Sequence, residues 1–308
     1  MASHIHFSVL GTLRMTVNGT VHVPRGPKVN KLLALLLLRA GQVVETGTLV
    51  DELWAEQPPR GAVSTVRTHI YHLRRQLAEC LGAPVGPLLA TRPPGYLTQL
   101  GPDQLDATLF TRLTAEGRAL LARGLPAEAA AACRAGLRLW EGRALSGVHA
   151  GQHLEVHLQR LDELRVQAVG TRVEAEMRLG MHAELIPELR SLVAAYPYHE
   201  RFHACLIEAL RLSGRRREAL DAYDDLRRVL TDELGLGPSA HPHALLRSIL
   251  TDTPPGTGAG AGTEAKAGSG AYAGPAPGRT PALVGAPATG AQTPMPIPPP
   301  TGSTVPVM

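Results

Sequence analysis

Cysteine is scarce in this 308-residue chain: Cys80, Cys133 and Cys205 stand far apart and match neither a zinc-ligand nor a disulfide spacing. That excludes a disulfide-stapled extracellular scaffold and predicts free thiols in a reducing cytosol. Long apolar runs are missing as well. The longest, "LLALLLL" at 32–38, falls far short of the roughly 18 residues a membrane span needs, so no membrane association is expected. The first residues carry no basic segment followed by an apolar core, so no secretion signal is expected and the protein is placed in the cytoplasm. Signatures of nucleotide binding and hydrolysis are absent too: no G-x-x-x-x-G-K-[ST], no G-x-G-x-x-G opening a helix, no H-E-x-x-H and no G-x-S-x-G. His4-x-His6 and His241-x-His243 pair imidazoles without a third ligand at a useful distance. No metal, no other cofactor and no enzymatic activity are therefore expected.

What is present is a globular composition, 44% apolar and 19% charged, on a chain long enough for two cores. The net charge of +4 is unevenly spread: residues 1–100 hold 10 Lys/Arg against 5 Asp/Glu, and residues 101–250 hold 19 against 20. A basic N-terminal part suits a small domain that meets a polyanion. Residues 5–23 alternate apolar and polar around Asn18-Gly19, predicting two or three short antiparallel strands. "PKVNKLLALLLLRAGQVV" predicts a buried helix ending before Gly41. "ETGTLVDELWAEQPP" predicts a second, with Thr48 and Asp51 as a capping box. A third helix spans about 61–81, and "LLATRPPGYLTQL" predicts two strands around a Pro-Pro-Gly turn. Strands, three helices and a hairpin make a winged helix-turn-helix over residues 1–101.

Residues 103–250 predict helix after helix. "RLGMHAELIPELRSLV" and "RLSGRRREALDAYDDL" place Gly180 and Gly214 34 residues apart, the tetratricopeptide period, and "LARGLPAEAAAACRAGL" around Gly124 is a third copy. Residues 251–308 are rich in Pro, Gly, Ala and Thr and predict a disordered tail. The fold class is thus mainly α with a small β component: a winged helix-turn-helix domain, an all-helical tetratricopeptide-like domain, and the tail.

The third helix carries the functional signal. Val63, Val66, Ile70, Leu73 and Leu77 share one face and predict core. Opposite lie Ser64, Thr65, Thr68, Tyr71, His72 and Arg75, with Arg67 and Arg74 on the flanks, His69 at one edge, and no acid before Glu79. A merely solvated face mixes both signs, so a basic and hydroxyl face predicts a helix for the major groove of double-stranded DNA. There Arg can pair with guanine and Thr with a thymine methyl or a phosphate; Arg74 and Arg75 suit phosphates. Arg92, at the Pro-Pro-Gly turn, is the candidate wing contact, and Lys28 and Lys31 start the first helix where a phosphate is favoured.

"GPKVNKLLALLLLRAGQVV", "LVDELWAEQPPRGAVSTVRTHIYHLRRQL" and "TRPPGYLTQL" resemble the OmpR-type winged helix of the Streptomyces antibiotic regulatory proteins. "LDATLFTRLTAEGRALLARGLPAEAAAACRAGLRLWEGRAL" and the segment from "LGMHAELIPELRSLV" to "DELGLGP" resemble that family's bacterial transcriptional activation domain. The match covers about 5–250 and lacks the ATPase module of larger members. The resemblance implies an activator of a secondary-metabolite gene cluster. Such a protein binds direct repeats near the −35 element as a head-to-tail homodimer and recruits RNA polymerase. It places Thr65, Arg67, Thr68, His69, His72, Arg74 and Arg75 in the recognition helix, and Arg92 and Tyr96 in the wing. Trp54, Glu56, Gln57 and Arg60 fall in a loop facing polymerase or sigma factor. Two alternatives stay open: a repressing or ligand-gated winged-helix regulator, and a tetratricopeptide-type interaction scaffold.

Overall fold

The computed structural model describes residues 5–83 and 85–251. His4 lies outside the described residues, as does the tail expected to be disordered, except Thr251, which ends the last helix. The chain opens with β1 (Ile5–Ser8), β2 (Arg14–Val17) and β3 (Thr20–His22), an antiparallel sheet in that order. Asn18 and Gly19, both at positive φ, supply the tight turn whose twist matches right-twisted strands. α1 (Pro27–Leu38) follows, with Pro27 at its start and Leu32 to Leu37 all buried. α2 (Thr46–Trp54) and α3 (Ala62–Leu81) complete the three-helix unit. After a strand β4 (Val43–Glu45) ahead of α2, β5 (Leu89–Arg92) and β6 (Gly95–Thr98) form the wing hairpin.

Four details differ from the sequence expectation. β4 pairs with β6, so the second sheet runs β4-β6-β5. Three residues are too short to show alternation; the free edge of β6 makes the strand. β4 runs directly into α2, so that helix starts at Thr46 with an extended Glu45 before it and no side-chain cap. Thr48 and Asp51 therefore form no capping box; Thr46 donates its hydroxyl to the Pro94 carbonyl instead, at 3.0 Å. Val63 is 45% exposed because α3 places Ala62 in the core, and the next residue is turned by about 100°. Tyr96 is buried within the hairpin rather than displayed on it.

Gly95 is needed where β6 crosses β4: a Cβ there would lie 1.9 Å from the Val44 carbonyl oxygen. Gly95→Ala should cost about 1–3 kcal/mol, read as a drop of several degrees in a thermal melt, because backbone rather than a flexible side chain must give way. An unchanged melting temperature would show that β4 can detach freely.

The second part comprises α4 (Asp106–Ala122), α5 (Pro126–Leu137), α6 (Gln152–Arg178), α7 (His182–Ala195), α8 (Glu200–Leu212), α9 (Arg216–Leu234) and α10 (Ala240–Thr251). Gly124, Gly180 and Gly214 sit at φ +76°, +84° and +74° between the paired helices α4/α5, α6/α7 and α8/α9. Four residues after each stands a glutamate, Glu128, Glu184 or Glu218, in the first turn of the next helix, where the amide ends favour negative charge. The repeated motif is thus a left-handed glycine turn plus an acidic helix start.

The change of composition near Pro102 is not matched by a gap in the core. One buried cluster runs from Ile5 through Trp140 to Ala168 and includes residues of both parts; a second holds Val169 to Ile249. The loop after β1 is bonded on both edges by the helical part. Glu141, Leu145 and Ser146 donate backbone N–H groups to the carbonyls of Leu10, Val9 and Gly11 at 2.7, 2.8 and 2.9 Å. Val9 and Leu10 in turn donate to the Asp106 carboxylate at 2.9 and 3.0 Å. A second junction is made by Glu52 of α2, 1% exposed. It accepts N–H bonds from Gly151 (2.6 Å), His153 (3.0 Å) and Leu154 (3.1 Å) and so caps α6 from outside its own segment. Gly151 fits because a Cβ would lie 2.5 Å from the Glu52 carbonyl oxygen.

Burial pushes the Asp106 carboxyl up to about 6, against the pull of the Leu10, Val9 and Ala107 amides and of Arg14. A folded-state value above the ordinary one means that its contribution to stability is fullest below about pH 4 and declines as pH rises through about 6. The melting-temperature gap between the parent protein and Asp106→Ala should accordingly narrow from about pH 4.5 to about pH 7.5. A widening gap would show that the amide bonds outweigh desolvation.

Among the described residues no helix is long and apolar enough to cross a membrane. Burial pushes the thiols of Cys133 and Cys205 up to about 11, so both stay protonated. His243 faces the Tyr223 hydroxyl at 2.8 Å.

Candidate nucleic-acid interface

α3 is held at both ends by glycines in the left-handed region, Gly61 and Gly82, and fastened to the fold by Val66, Ile70, Leu73 and Leu77, each at most 2% exposed. With that stripe fixed, Ser64, Arg67, Thr68, Tyr71, His72 and Arg75 are exposed, and Thr65 and His69 lie at the half-buried margin. Ser64 and Thr65 donate their hydroxyls to the Gly61 carbonyl and Thr68 donates to the Ser64 carbonyl at 3.1 Å. These back-bonds use the hydroxyl protons and leave oxygen lone pairs free to accept from a base amino group.

The cations are used in different ways. Arg74 does not point outward: it donates to the Leu89 carbonyl at 3.0 Å and to Thr91 Oγ1 at 2.9 Å, and its guanidinium lies 5.8 Å from the Tyr96 ring centroid. Arg74 and Tyr96 together brace the wing hairpin against α3. Arg75 pairs with Glu79 one turn on, at 3.1 Å, both side chains 63% exposed. An exposed pair of this kind is worth only about 0–1 kcal/mol, so Arg75 can turn to a phosphate at little cost. Arg67 and Arg92 are exposed. Burial, then the charges of Lys28 and His72, holds His69 below the usual imidazole value. It is therefore neutral at pH 7, a hydrogen-bonding group rather than a counter-charge.

Lys28 and Lys31 start α1 as expected from the sequence, but both have partners. Lys28 Nζ stands 4.7 Å over the Trp54 ring, and Lys31 Nζ donates to the Glu52 carbonyl at 3.2 Å. The following loop turns at Ala55 (φ +53°) and exposes Glu56, Gln57 and Arg60, with Trp54 half-buried beneath Lys28. α3 is thus braced to the wing hairpin through Arg74, while the start of α1 packs on Trp54 beside the exposed loop at 55–60.

Sequence reasoning missed Glu52, Asp106 and the bracing role of Arg74. A buried glutamate in the middle of an amphipathic helix is the one signal that pointed to Glu52: it shares the face of Leu49 and Leu53. Nothing local distinguishes Asp106 from an ordinary acidic helix start.

A winged helix whose outward helix face carries hydroxyls, imidazoles and guanidiniums, with no acid before Glu79, defines a DNA-binding transcriptional regulator. Comparison with known proteins points the same way. Residues 20–98 match the family model described as transcriptional regulatory protein, C terminal, and residues 105–250 the one described as bacterial transcriptional activator domain. The regulatory protein DnrI of Streptomyces peucetius is 40% identical over 254 residues, spanning 81% of this chain and 93% of DnrI. The regulatory protein AfsR of Streptomyces griseus is 36% identical over 249 residues, spanning 81% of this chain but only 25% of AfsR. A solved structure of Mycobacterium tuberculosis EmbR, in complex with a low-affinity phosphopeptide, superposes with a TM-score of 0.78 at 32% identity over 82% of this chain and 66% of that one. The chain belongs to the Streptomyces antibiotic regulatory protein family.

Proposed function

We propose that the protein activates transcription of a secondary-metabolite gene cluster from the cytoplasm, by binding direct repeats near the −35 element and recruiting RNA polymerase. The observation that carries this is the presentation of α3: a face of hydroxyls and guanidiniums on a helix whose opposite stripe is buried and whose Arg74 is bonded to the wing hairpin. Residues 1–101 act as the DNA-reading unit and 103–250 as the unit that spaces protomers and meets partners. Arg67, Arg75 and Arg92 supply phosphate contacts, with Lys28 and Lys31 adding charge from α1. Thr65, Thr68, His69 and His72 supply sequence choice at about 1–3 kcal/mol per good contact. Arg74 and Tyr96 position the wing. Two copies on half-sites about one helical turn apart would lie head to tail on one face of the DNA. The loop of Trp54, Glu56, Gln57 and Arg60 then points along the DNA toward polymerase and its sigma factor.

The test is selection of a duplex from a random-sequence pool by the full-length protein, footprinting of that duplex, and transcription with purified polymerase from a promoter carrying it. Two protected repeats on one DNA face and increased transcript are expected. Protection with decreased transcript would make it a repressor, and no selection at low salt would remove the DNA-reading role.

A further inference from the structure

One group on the α3 face is explained neither by charge nor by packing. Tyr71 is 63% exposed and stands between Thr68, one turn before, and Arg75, one turn after, opposite the stripe that anchors the helix. Its ring meets His72 edge-on, with centroids 5.7 Å apart and planes at 67°. Among the described residues its hydroxyl has no hydrogen-bond partner. The ring also forms one wall of a groove of about 580 Å³ between α3 and β5, whose floor is apolar: Ala78, Val85, Leu89 and Ala90.

An aromatic ring left in water on a basic face forgoes the burial that would stabilise it in the fold. Its contacts are the edge of His72 and the groove beside β5, so most of the ring is open to a ligand. Phosphates are already matched by the neighbouring guanidiniums. In the major groove the apolar group a base edge offers is the thymine 5-methyl. We propose that Tyr71 is a specificity-determining residue whose ring packs on a thymine 5-methyl, with the apolar floor of the α3–β5 groove excluding water beside it. This rests on the proposed DNA-reading role of α3 and adds the base it selects.

The experiment takes the duplex selected by the full-length protein and replaces each thymine in turn by deoxyuridine, which removes only the methyl. Dissociation constants are measured by fluorescence anisotropy for the parent protein, Tyr71→Phe and Tyr71→Ala. Being exposed, the side chain can be changed without disturbing the core. At one or two positions, removing the methyl should weaken the parent and Tyr71→Phe about five- to tenfold, the size expected when one apolar group is withdrawn from a base-reading face. Tyr71→Ala should be weaker by the same factor on the thymine duplex and indifferent to the change at those positions. The inference is overturned if Tyr71→Ala keeps the parent's response, or if no thymine matters. It is overturned equally if Tyr71→Phe is weakened as much as Tyr71→Ala, which would assign the hydroxyl to a phosphate. Selection of no duplex at all would instead defeat the DNA-reading role of α3, and this inference with it.

Discussion

Cut after residue 101, the winged helix should fail to form a stable domain, and its DNA affinity should fall with it. The expectation runs against the composition, which divides the chain near Pro102. Val9, Leu10 and Leu13 are at most 2% exposed in the whole protein. The carbonyls of Val9, Leu10 and Gly11 and the amides of Val9 and Leu10 are bonded to residues beyond 101. Truncation returns those side chains to water at about 1.5–3 kcal/mol each and leaves the polar backbone without its partners. A domain is stable by only about 5–15 kcal/mol in total. Circular dichroism of the fragment should show a broad or absent unfolding transition where the full chain melts cooperatively. A fragment that melted sharply near the parent's temperature would show that the shared core is not needed. Glu52→Ala tests the same junction in the intact protein. It strips three N–H groups at the start of α6 of their acceptor, at about 1–3 kcal/mol, and should make the segment around Gly151 newly sensitive to protease.

The second large effect is on binding. Arg67→Ala with Arg75→Ala should weaken binding to every duplex and flatten its dependence on salt, since each phosphate interaction removed lowers the salt slope by roughly one unit. Thr68→Ala should behave differently, leaving the slope alone and shifting preference among sites, because the proposed role gives its uncharged hydroxyl and methyl a base edge rather than a phosphate. Arg74→Ala should resemble neither: it releases the bonds to Leu89 and Thr91 and should lower the melting temperature. Anisotropy titrations across a salt series, paired with thermal melts, separate the three. If the double arginine variant kept its slope, the phosphate role of this face would fail.

Much of the architecture was legible in the residues. The Asn18-Gly19 hairpin, the leucine-rich first helix and the stripe of Val66, Ile70, Leu73 and Leu77 are local patterns, set by side-chain periodicity and by backbone angles that few residues adopt. The repeat was legible for the same reason, since Gly124, Gly180 and Gly214 each supply a left-handed turn that ends one helix and starts the next. Strand β4, the exposure of Val63, the burial of Tyr96 and the inward turn of Arg74 were not legible, because each depends on what stands opposite.

The sequence alone determined that a basic, hydroxyl-bearing helix face would exist, because the helical period of about 3.6 sorts its residues into two faces whatever the rest of the chain does. Which of its arginines are free to leave that face, and that a glutamate of the winged helix caps a helix 99 residues away, only the tertiary structure decided. A buried carboxylate must find donors and a guanidinium near a strand end must find carbonyls, and those partners are brought close by folding, not by sequence.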